Sequence, residues 1–325
     1  MKEKILQVVE KSGKSGVLQC DLTRIYGFSK STVSTVLKEL EASGEIVRRR
    51  VAGKSYRIWG IMNSPFSVKG VLRVGILKAI EYPSILLTRE TCKNIRIHIK
   101  IYNSAFSLTK DLAEGYLDAG CSPLITQTLF ALVYRTIRIN AGCGYNGGGI
   151  IFRRNAKIFG SSELSTMEYN LRRYMERENI EGEIRYFSSP QKMMRALSTG
   201  DVDAIAIWEP YLTKLSKKYR SMRFEDVFGD YPCCTLASNK RVGDTNEFRV
   251  FMDCYKSSFG EIESRREELI EMEARMFQLP KRDVREAFNG FKYSYKLSLE
   301  DALSLLQEFG LHLGNEITKE IFHLL

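Results

Sequence analysis

The pattern of apolar and polar residues changes near Val71, and this change constrains the fold more than any single motif. Residues before it form short amphipathic segments, whereas from the run VLRVGIL onward strand-like runs alternate with helical patterns. Such alternation predicts an α/β domain. A chain of 325 residues has room for about two domains. We therefore expect a small module over residues 1–62, a linker over 63–70 and an α/β domain over 71–325.

The excess of positive charge is concentrated in the small module. The formal charge of the chain is +10, and residues 1–62 contribute +6 of it, from 12 Lys and Arg against 6 Asp and Glu. The other 263 residues contribute +4, from 37 against 33. A compact basic module is typical of proteins that bind nucleic-acid phosphates, although charge alone also fits a surface that keeps the protein in solution.

Three helices are predicted in the small module. The patterns over Glu3–Glu10 and Leu18–Tyr26 give the first two, and Gly27 is a natural stop for the second. Ser29 suits the N-cap of a third helix. The apolar residues of that helix repeat at spacings that predict one buried face, and they are Val33, Val36, Leu37 and Leu40. Its other face offers hydroxyl and amine groups to phosphates or base edges in a major groove, through Ser29, Lys30, Ser31, Thr32, Ser34, Thr35 and Lys38.

A basic hairpin follows the third helix. The segment EIVRRRVAGKSYRIW predicts a strand, a turn at Ala52–Gly53 and a second strand. Its basic side chains can lie along a DNA backbone or enter a minor groove, and they are Arg48, Arg49, Arg50, Lys54 and Arg57. This order of elements resembles the winged helix-turn-helix of MarR-type and related regulators over residues 1–60. The resemblance implies binding of double-stranded DNA by a homodimer on paired half-sites, and the alternative is a winged helix that contacts proteins.

Composition predicts a cytoplasmic protein without a disulfide scaffold. The sequence has no apolar run of membrane-spanning length, and MKEKILQVVEKSGKSG has charges where a signal peptide needs an apolar core. The seven cysteines show neither a CxxC pair nor a neighbouring histidine. Buried structural cysteines are therefore the preferred interpretation. A redox or metal-sensing site of Cys143 with Cys233 and Cys234 is the open alternative.

The first part of the α/β region contains one clear strand and one glycine-rich segment. Isoleucines alternate with Arg96, His98 and Lys100, which predicts a strand whose exposed face carries His98. The segment AGCGYNGGGIIFRRN predicts a loop over residues 142–149, whose glycines permit close approach of backbone. Because it contains no GK[ST] sequence and does not open a helix, we predict neither a nucleotide site nor another cofactor site.

The sharpest motif is ALSTGDVDAIAIWEPYLTKL, which contributes Gly200, Asp203, Ala204, Trp208, Glu209, Pro210 and Tyr211. The earlier DLAEGYLDAGCSPL looks like its counterpart, with Gly115, Asp118, Gly120 and Pro123. Together they resemble the type II periplasmic binding proteins for nitrate, aliphatic sulfonates and taurine, and equally their pyrimidine-binding relatives in thiamine-precursor metabolism. The resemblance covers about residues 70–310 and implies a two-lobed α/β fold, with the helical residues 245–325 joining the lobes.

By this resemblance a ligand would bind in a cleft between the lobes, at loops that follow the carboxyl ends of strands. The loops of the first lobe also contain Glu81 and Pro123, and those of the second extend over Tyr231–Cys234. A helix beginning near Ser161 would favour an anionic group, and Trp208, Tyr145 and Tyr231 would stack on a planar ring. The candidate ligand-binding residues are Tyr82, Ser104, Ser122, Cys143, Gly144, Tyr145, Asn146, Ser161, Ser162, Trp208, Glu209 and Tyr231.

These features together predict a ligand-responsive transcription regulator that is not an enzyme. A small-molecule effector between the lobes would change how paired modules meet DNA. One alternative is an enzyme similar to the pyrimidine synthase of the same fold, whose chemistry relies on a histidine and a cofactor-bearing lysine. Another is a DNA-binding protein whose α/β part serves only as a dimerisation scaffold without a ligand.

Overall fold

The computed structural model describes residues 1–27, 29–53 and 55–324, so Lys54 of the predicted hairpin lies outside the described residues. The small module comprises α1 (Lys2–Lys11), β1 (Val17–Leu18), α2 (Gln19–Tyr26), α3 (Lys30–Ala42), β2 (Ile46–Ala52) and β3 (Ser55–Gly60). Its strands form an antiparallel sheet in the order β1-β3-β2. The helices pack on this sheet around one apolar core that includes Ile5, Leu22, Leu37 and Ile58. The helices and the hairpin lie where the sequence predicts them.

Ser29 fixes the start of α3. Its hydroxyl accepts a hydrogen bond from the amide of Thr32 at 3.1 Å, which satisfies one of the free amides of the first turn. Of the four apolar residues on the predicted face, Val36 is half-buried and the other three are buried. Lys30 and Lys38 are exposed on the other side of the helix.

Strands and helices alternate from Val71 to Asn239, except between Ile137 and Ser161, where three strands follow one another. They are β4 (Val71–Leu77), α4 (Pro83–Thr91), β5 (Arg96–Tyr102), α5 (Ala105–Ala113), β6 (Ala119–Pro123), α6 (Leu124–Tyr134), β7 (Ile137–Asn146), β8 (Gly148–Phe152), β9 (Ile158–Ser161), α7 (Thr166–Arg177), β10 (Glu183–Tyr186), α8 (Pro190–Thr199), β11 (Ala204–Trp208), α9 (Tyr211–Ser216), β12 (Arg220–Arg223), α10 (Glu225–Phe228) and β13 (Pro232–Asn239). The rest is mainly helical, with α11 (Lys240–Gly243), α12 (Asn246–Ser258), α13 (Arg266–Phe277), α14 (Lys281–Phe288), β14 (Phe291–Tyr293), α15 (Leu299–Glu308) and α16 (Asn315–Ile321).

These strands form two sheets, one in each lobe. The first lobe has the order β14-β7-β13-β6-β4-β5 and the second has the order β10-β9-β11-β8-β12. Strands β5, β4 and β6 are parallel, whereas β13, β7 and β14 join them by antiparallel pairing. The chain passes to the second lobe between β7 and β8 and returns between β12 and β13. The carboxyl ends of several strands from both sheets therefore meet at the junction of the lobes.

The two related motifs of the sequence have the same structural task in the two lobes. Asp118 accepts hydrogen bonds from the backbone amide and the guanidinium of Arg73, at 2.8–2.9 Å. Asp203 accepts bonds from the amides of Lys157 and Ile158, both at 2.9 Å, and from the guanidinium of Arg154. In each lobe the carboxylate ties the start of one strand to a neighbouring strand, so these aspartates organise the sheets and do not reach a ligand.

The glycine-rich segment is not the loop that the sequence predicts. Residues 142–146 continue β7, and residues 148 and 149 begin β8. A Cβ atom at Gly142 would lie 2.8 Å from the carbonyl oxygen of Ser294, and one at Gly149 would lie 2.2 Å from that of Met222. The glycines are needed here because neighbouring backbone approaches the strands too closely for a side chain.

The predicted start of the second-lobe helix also needs correction. Residues Ile158–Ser161 form β9, and the helix α7 begins only at Thr166. Ser165 is its N-cap and accepts a hydrogen bond from the amide of Glu168 at 3.3 Å. A loop of four residues therefore separates Ser161 from the helix, because Ser161 is required by the pairing of β9 with β10.

The C-terminal helices contact both lobes. Helix α12 packs on α4 of the first lobe, and α14 packs on α9 of the second. The ammonium of Lys217 lies 3.1 Å from the carboxylate of Asp283 at this second contact. The charged run REELIEMEAR forms much of α13. Its Glu273 is fully buried, so one face of this helix is packed in the interior and is not solvated. In the described residues, none of the helices has the length and apolar character needed to cross a membrane.

The linker and the small module pack against the first lobe. The ring of Trp59 meets that of Phe66 edge-on, with 5.6 Å between centroids. The guanidinium of Arg241 donates to the carbonyl of Pro65 at 2.9 Å, and that of Arg73 donates to the carbonyl of Ser64. The linker thus contacts both the small module, through Trp59, and the first lobe, through Arg73 and Arg241.

Candidate functional site

A cavity of about 530 Å³ lies at the junction of the two lobes. Most of its walls are residues that follow the carboxyl ends of strands in both sheets. From the first lobe these are Leu77, Ala79, Glu81, Tyr82, Asn103, Ser104, Ala105, Phe106, Ser107 and Pro123. From the second lobe they are Ser162, Glu163, Ser165, Thr166, Met167, Tyr186, Phe187, Ser188 and Trp208, and the start of β13 adds Cys233 and Cys234. A cavity of this size can enclose a small organic molecule.

Helices of both lobes begin at the cavity wall, among them α5 of the first lobe and α7 of the second. In the first lobe Ser104 caps α5 by accepting a hydrogen bond from the amide of Ser107 at 3.4 Å. In the second lobe Ser165 and Thr166 form the start of α7. These ends bring hydroxyl groups and partially positive amide dipoles to opposite walls. The arrangement offers hydrogen bonds to a polar group of a ligand from both lobes.

Trp208 connects the lobes directly. Its side chain lies at the end of β11 in the second lobe, and its indole N–H donates to the carbonyl of Lys78 in the first lobe at 3.3 Å. Its ring meets that of Tyr211 edge-on, with 6.1 Å between centroids. The half-buried indole therefore forms both a wall of the cavity and a hydrogen bond across the junction.

The floor of the cavity combines a carboxyl group with two thiols. The amide of Cys234 donates to Oε1 of Glu81 at 3.0 Å, and the hydroxyl of Tyr82 donates to Sγ of Cys234 at 3.4 Å. Burial raises the pKa of Glu81 to about 7, because a low-dielectric environment disfavours the charged form. Burial likewise raises the pKa of Cys234 well above its usual value.

The structure brings four of the predicted ligand-binding residues to this cavity, namely Tyr82, Ser104, Ser162 and Trp208. Two others are buried within the lobes: Ser122 shares a hydrogen bond with Thr109 at 2.9 Å, and Ser161 ends β9. Glu209 is fully buried and accepts a hydrogen bond from the guanidinium of Arg223 at 2.5 Å. It holds the turn after β11 and does not line the cavity.

The remaining predicted residues lie along β7 and its partners, beside the cavity and not in it. Cys143 and Gly144 are buried within β7, and the floor residue Glu81 packs over Gly144. Asn146 donates to the carboxylate of Asp230 at 2.8 Å, and the hydroxyl of Tyr231 accepts from the amide of Gly148 at 3.1 Å. Tyr145 and Tyr231 border a separate groove. Because residues 142–146 of the glycine-rich segment continue β7, strand pairing fixes the positions of the side chains on these residues.

Several wall residues were not among the sequence candidates. Tyr186, Phe187 and Ser188 follow β10, so the rule about carboxyl ends of strands would have found them. Ser165 and Thr166 were missed because the helix was expected to begin earlier. Glu81 and Cys234 belong to loops that the sequence placed at the cleft, although they were not chosen as ligand contacts.

Most of the predicted DNA-binding residues that the structure describes are exposed, and three arginines of the hairpin also bond to other groups of the protein. On α3 the exposed ones are Ser29, Lys30, Ser31, Thr35 and Lys38, and Thr32 and Ser34 are half-buried. In the hairpin Arg49 and Arg50 are exposed. Arg48 is paired with Glu41, with 2.8 Å between Nε and Oε2, and Arg57 donates to the carbonyl of Ser15 at 3.2 Å. Arg50 donates within the turn to the carbonyl of Gly53.

The histidines lie away from the cavity walls. His98 is half-buried on β5, in a groove between this strand and the small module, and not fully solvent-facing as expected from the alternation. Burial lowers the pKa of His98, and the nearby Arg96 and Arg89 lower it further. His312 follows α15, and His323 follows α16. The acid–base chemistry available at the cavity therefore rests on carboxyl, thiol and hydroxyl groups.

Comparison with known proteins identifies the fold of the two-lobed part. No protein-family model and no curated protein matches the sequence. A zinc-bound ligand-binding component of an ABC-type import system from Staphylococcus aureus superimposes with a TM-score of 0.67 at 16% identity, over 78% of this chain and 99% of that one. The alkanesulfonate-binding protein SsuA from Xanthomonas axonopodis pv. citri, bound to MOPS, gives 0.65 at 16% identity, over 80% and 100%. The nitrate-binding protein NrtA from Synechocystis PCC 6803 gives 0.64 at 12% identity, over 78% and 86%.

Over about 78% of its length the chain thus has the type II periplasmic-binding-protein fold, with two α/β lobes. This is the architecture of sulfonate- and nitrate-binding proteins, and at these identities the likeness establishes the fold. The cavity lies at the junction of the lobes, where the sequence resemblance predicts it. The matches leave the amino-terminal fifth of the chain uncovered.

Proposed function

We propose that this protein is a ligand-responsive, DNA-binding transcription regulator that senses a small molecule between its two lobes. The observation that carries the proposal is the placement of α5. Ser104 and Phe106, at its amino-terminal end, line the cavity. Asp111, near its other end, and Glu114, its C-cap, are held by Lys14 of the small module. One helix of nine residues thus touches both the candidate ligand site and the candidate DNA reader.

The small module supports the DNA-binding part of the proposal. Its element order, its antiparallel three-stranded sheet and the capped α3 support the interpretation of this module as a winged helix-turn-helix. Lys30 and Lys38 are exposed on α3, and Arg49 and Arg50 are exposed on the hairpin. A helix presenting short polar and basic side chains suits a major groove, and the hairpin suits the adjacent backbone. We infer domain boundaries near residues 62 and 70, a homodimer on paired half-sites, and a cytoplasmic location.

The cavity supports the sensing part of the proposal. Its lining combines aromatic rings with hydroxyl groups, as small-molecule sites do. The charged side chains that line it, within the described part of the chain, are the acidic Glu81 and Glu163. Two of the similar structures named above are an alkanesulfonate-binding protein bound to MOPS and a nitrate-binding protein. The carboxyl groups of Glu81 and Glu163 disfavour a simple anion in this cavity. A compact organic molecule with a planar ring, which Trp208 could stack on, fits the walls better.

A ligand would act by favouring one arrangement of the lobes. Only a molecule that binds one arrangement more tightly can shift the balance between them. Movement of the lobes around the ligand would alter the hydrogen bond between Trp208 and Lys78, which joins the two lobes. Since α5 belongs to the first lobe, any shift at its amino-terminal end is passed to the contact with Lys14. Binding in the cavity would thereby change how two modules are spaced on DNA.

DNA binding is tested by fluorescence anisotropy with a labelled duplex over a range of salt concentrations. The variant Lys30→Gln/Lys38→Gln should bind more weakly, and the salt slope should fall by about 2 if both lysines contact phosphates. The matched control is Lys192→Gln/Lys218→Gln, which removes two exposed lysines from the second lobe. Equal losses in both variants, or an unchanged slope in the first, would argue against α3 as the DNA-contacting helix.

Ligand sensing is tested by native mass spectrometry of the purified protein, followed by thermal-shift screening. A co-purified molecule would identify the ligand class, and its removal should lower the unfolding temperature. If no molecule co-purifies, a panel of thiamine precursors, sulfonates and oxyanions is screened for stabilisation. The absence of any response would favour the alternative in which the α/β part is a dimerisation scaffold.

A further inference from the structure

Two adjacent cysteines and a carboxyl group converge at the floor of the cavity. A carboxylate oxygen of Glu81 and the Sγ atoms of Cys233 and Cys234 all lie within 4.8 Å of one another. Each residue lines the cavity, although each is at most 5% exposed to bulk solvent. We propose that these three side chains form a binding site for a thiophilic divalent metal ion such as Zn²⁺, with one further coordination position facing the cavity.

The distance between the sulfur atoms supports this proposal. Two thiolates bound to one tetrahedral zinc ion, each at about 2.3 Å, lie about 3.8 Å apart. The Sγ atoms of Cys233 and Cys234 are 3.9 Å apart. The protein therefore holds the pair at the spacing that a shared metal ion requires.

The irregular pairing of β13 explains how two neighbouring residues can bind the same metal ion. In a regular strand successive side chains point to opposite faces of the sheet. The pairing of β13 with β7 shifts register on both sides of Cys234. An irregularity of this kind re-aims side chains, and here it brings both thiols to the face that carries Glu81. The irregular start of β13 thus places two thiols where they can bind one metal ion together with Glu81.

The type of ligand and the surrounding hydrogen bonds select for a thiophilic metal. Two thiolates and one carboxylate suit Zn²⁺ and Co²⁺ better than Mg²⁺ or Ca²⁺, which prefer oxygen alone. The Tyr82 hydroxyl donates to Sγ of Cys234 at 3.4 Å, and the Cys234 amide donates to Oε1 of Glu81 at 3.0 Å. Such contacts orient ligands and fix their geometry. On binding, each thiol gives its proton to solvent and the sulfur coordinates as thiolate.

A site with three protein ligands leaves a coordination position for another molecule. The cavity above the cluster is large enough for a small organic ligand, and the polar residues Ser104, Ser162 and Thr166 are among those that line it. The metal would bind such a ligand through an oxygen, nitrogen or sulfur atom. This inference deepens the sensing function proposed above, and its regulatory meaning rests on that function. Metal binding itself depends only on the three ligands at the floor of the cavity and does not depend on DNA binding.

The test is a titration of the full-length, reduced protein with Co²⁺, followed by absorption spectroscopy. We expect a thiolate-to-cobalt charge-transfer band and intense visible bands of a tetrahedral site, saturating at one equivalent and lost when Zn²⁺ is added. Cys233→Ser and Cys234→Ser should each weaken Co²⁺ binding by at least about 100-fold, since even residues around a metal site contribute 10- to 100-fold. Glu81→Gln should weaken it while retaining the charge-transfer band.

The matched control is Cys121→Ser, which changes an equally buried cysteine on the neighbouring strand β6. It should bind Co²⁺ as the unaltered protein does, and circular dichroism checks that every variant is folded. X-ray absorption of the zinc-loaded, unaltered protein gives a second measure that needs no variant, and we expect two sulfur ligands per zinc. No charge-transfer band, a band that survives in the Cys233→Ser/Cys234→Ser double variant, or zinc without sulfur ligands would each overturn the proposal.

The same experiments separate this inference from the proposed regulator. Co²⁺ binding without DNA binding in the anisotropy assay would retain the metal site and overturn the regulator. DNA binding without the charge-transfer band would overturn the metal site and leave the regulator in place. Loss of both would overturn both.

Discussion

The ammonium of Lys14 lies 2.5 Å from the carboxylate of Asp111, 97 residues further along the chain. It also lies 3.3 Å from a carboxylate oxygen of Glu114 and 4.1 Å from the centroid of the Tyr116 ring. Asp111 in turn accepts hydrogen bonds from the Tyr102 hydroxyl at 2.6 Å and from Lys100 at 3.1 Å. One lysine thus fixes the small module to a network at the far end of the helix that opens on the cavity.

Removing the Lys14 charge should loosen the module from the first lobe. We expect Lys14→Gln to increase the rate of proteolytic cleavage within residues 61–70 roughly fivefold, as the loss of an ion pair worth about 1 kcal/mol would allow. Limited proteolysis with mass analysis of the fragments measures this. Lys11→Gln is the control, since Lys11 is an exposed lysine at the end of α1. Equal cleavage in both variants would show that Lys14 does not hold the module.

The same network should make stability depend on pH in the acid range. Burial alone would raise the pKa of Asp111, but hydrogen bonds from Lys14 and Tyr102 and the charge of Lys100 outweigh it and lower the pKa below its usual value. A carboxyl group with a lowered pKa stabilises the folded state above its unfolded pKa of about 4, and this contribution disappears as the pH falls through the folded pKa.

This predicts how the variant Asp111→Asn compares with the unaltered protein. Near about pH 7 the variant should be less stable by about 1.5–3 kcal/mol, the range for hydrogen bonds to charged groups. The difference in free energy of unfolding should shrink progressively below about pH 4. Urea denaturation at several pH values measures it. A difference that stays constant across the acid range would mean that the charge of Asp111 does not contribute.

The fold was largely predictable because its main signals are local. The isoleucine alternation marks β5, and the two Asp-containing motifs mark β6 and β11. The short strand β9 and the strand character of the glycine-rich segment were not predictable in this way. Both depend on partners distant in sequence: β9 pairs with β10 and β11, and β7 pairs with β13 and β14. A local pattern that contains several glycines indicates close approach of backbone, but it does not show which distant segments supply that backbone.

The buried aspartates allow a comparison between the two lobes. Arg73, which pairs with Asp118, is 1% exposed, whereas the side chain of Arg154, which pairs with Asp203, is 62% exposed. Breaking a buried pair leaves an uncompensated charge in the interior and costs about 3–5 kcal/mol. An exposed partner contributes about 1 kcal/mol or less. We therefore expect Arg73→Met to destabilise the protein severely and Arg154→Met to change it little.

Urea denaturation of the two methionine variants measures the difference. Each change replaces an arginine by methionine, which removes the guanidinium and leaves an unbranched apolar side chain. The two positions therefore differ mainly in how deeply the arginine is buried. Comparable losses of stability would contradict the idea that burial of the arginine decides the strength of each pair. The prediction also bears on the sequence motifs, because it assigns Asp118 a structural task.

The site was most predictable where strand ends were correctly located. Ser104 and Trp208 follow or end strands that the sequence marks clearly, and both line the cavity. Ser165 was missed because β9 was missed, and the chosen residues Cys143 and Asn146 lie in a strand beside the cavity. The convergence of Glu81 with Cys233 and Cys234 spans about half of the chain. It depends on the return of β13 to the first sheet, which no local pattern encodes.

Two glycines of β7 should respond differently to alanine, because different groups face them. A Cβ atom at Gly142 would lie 2.8 Å and 3.1 Å from the carbonyl oxygens of Ser294 and Lys296. At Gly144 the nearest atom, 3.3 Å away, is Cγ of the Glu81 side chain. Backbone cannot move without disturbing the contact of the C-terminal segment with β7, whereas a side chain can shift by a few tenths of an ångström.

We therefore expect Gly142→Ala to lower the free energy of unfolding by about 2–3 kcal/mol, within the range for overpacked interiors, and Gly144→Ala to lower it by about 1 kcal/mol or less. Urea denaturation of the two variants, each compared with the unaltered protein, measures this. Equal tolerance at both positions would mean that the close approach of backbone does not decide which glycine is required. A large loss at Gly142 alone would show that the glycines are retained for the close approach of neighbouring backbone, which follows directly from the pairing of β7 within the first sheet.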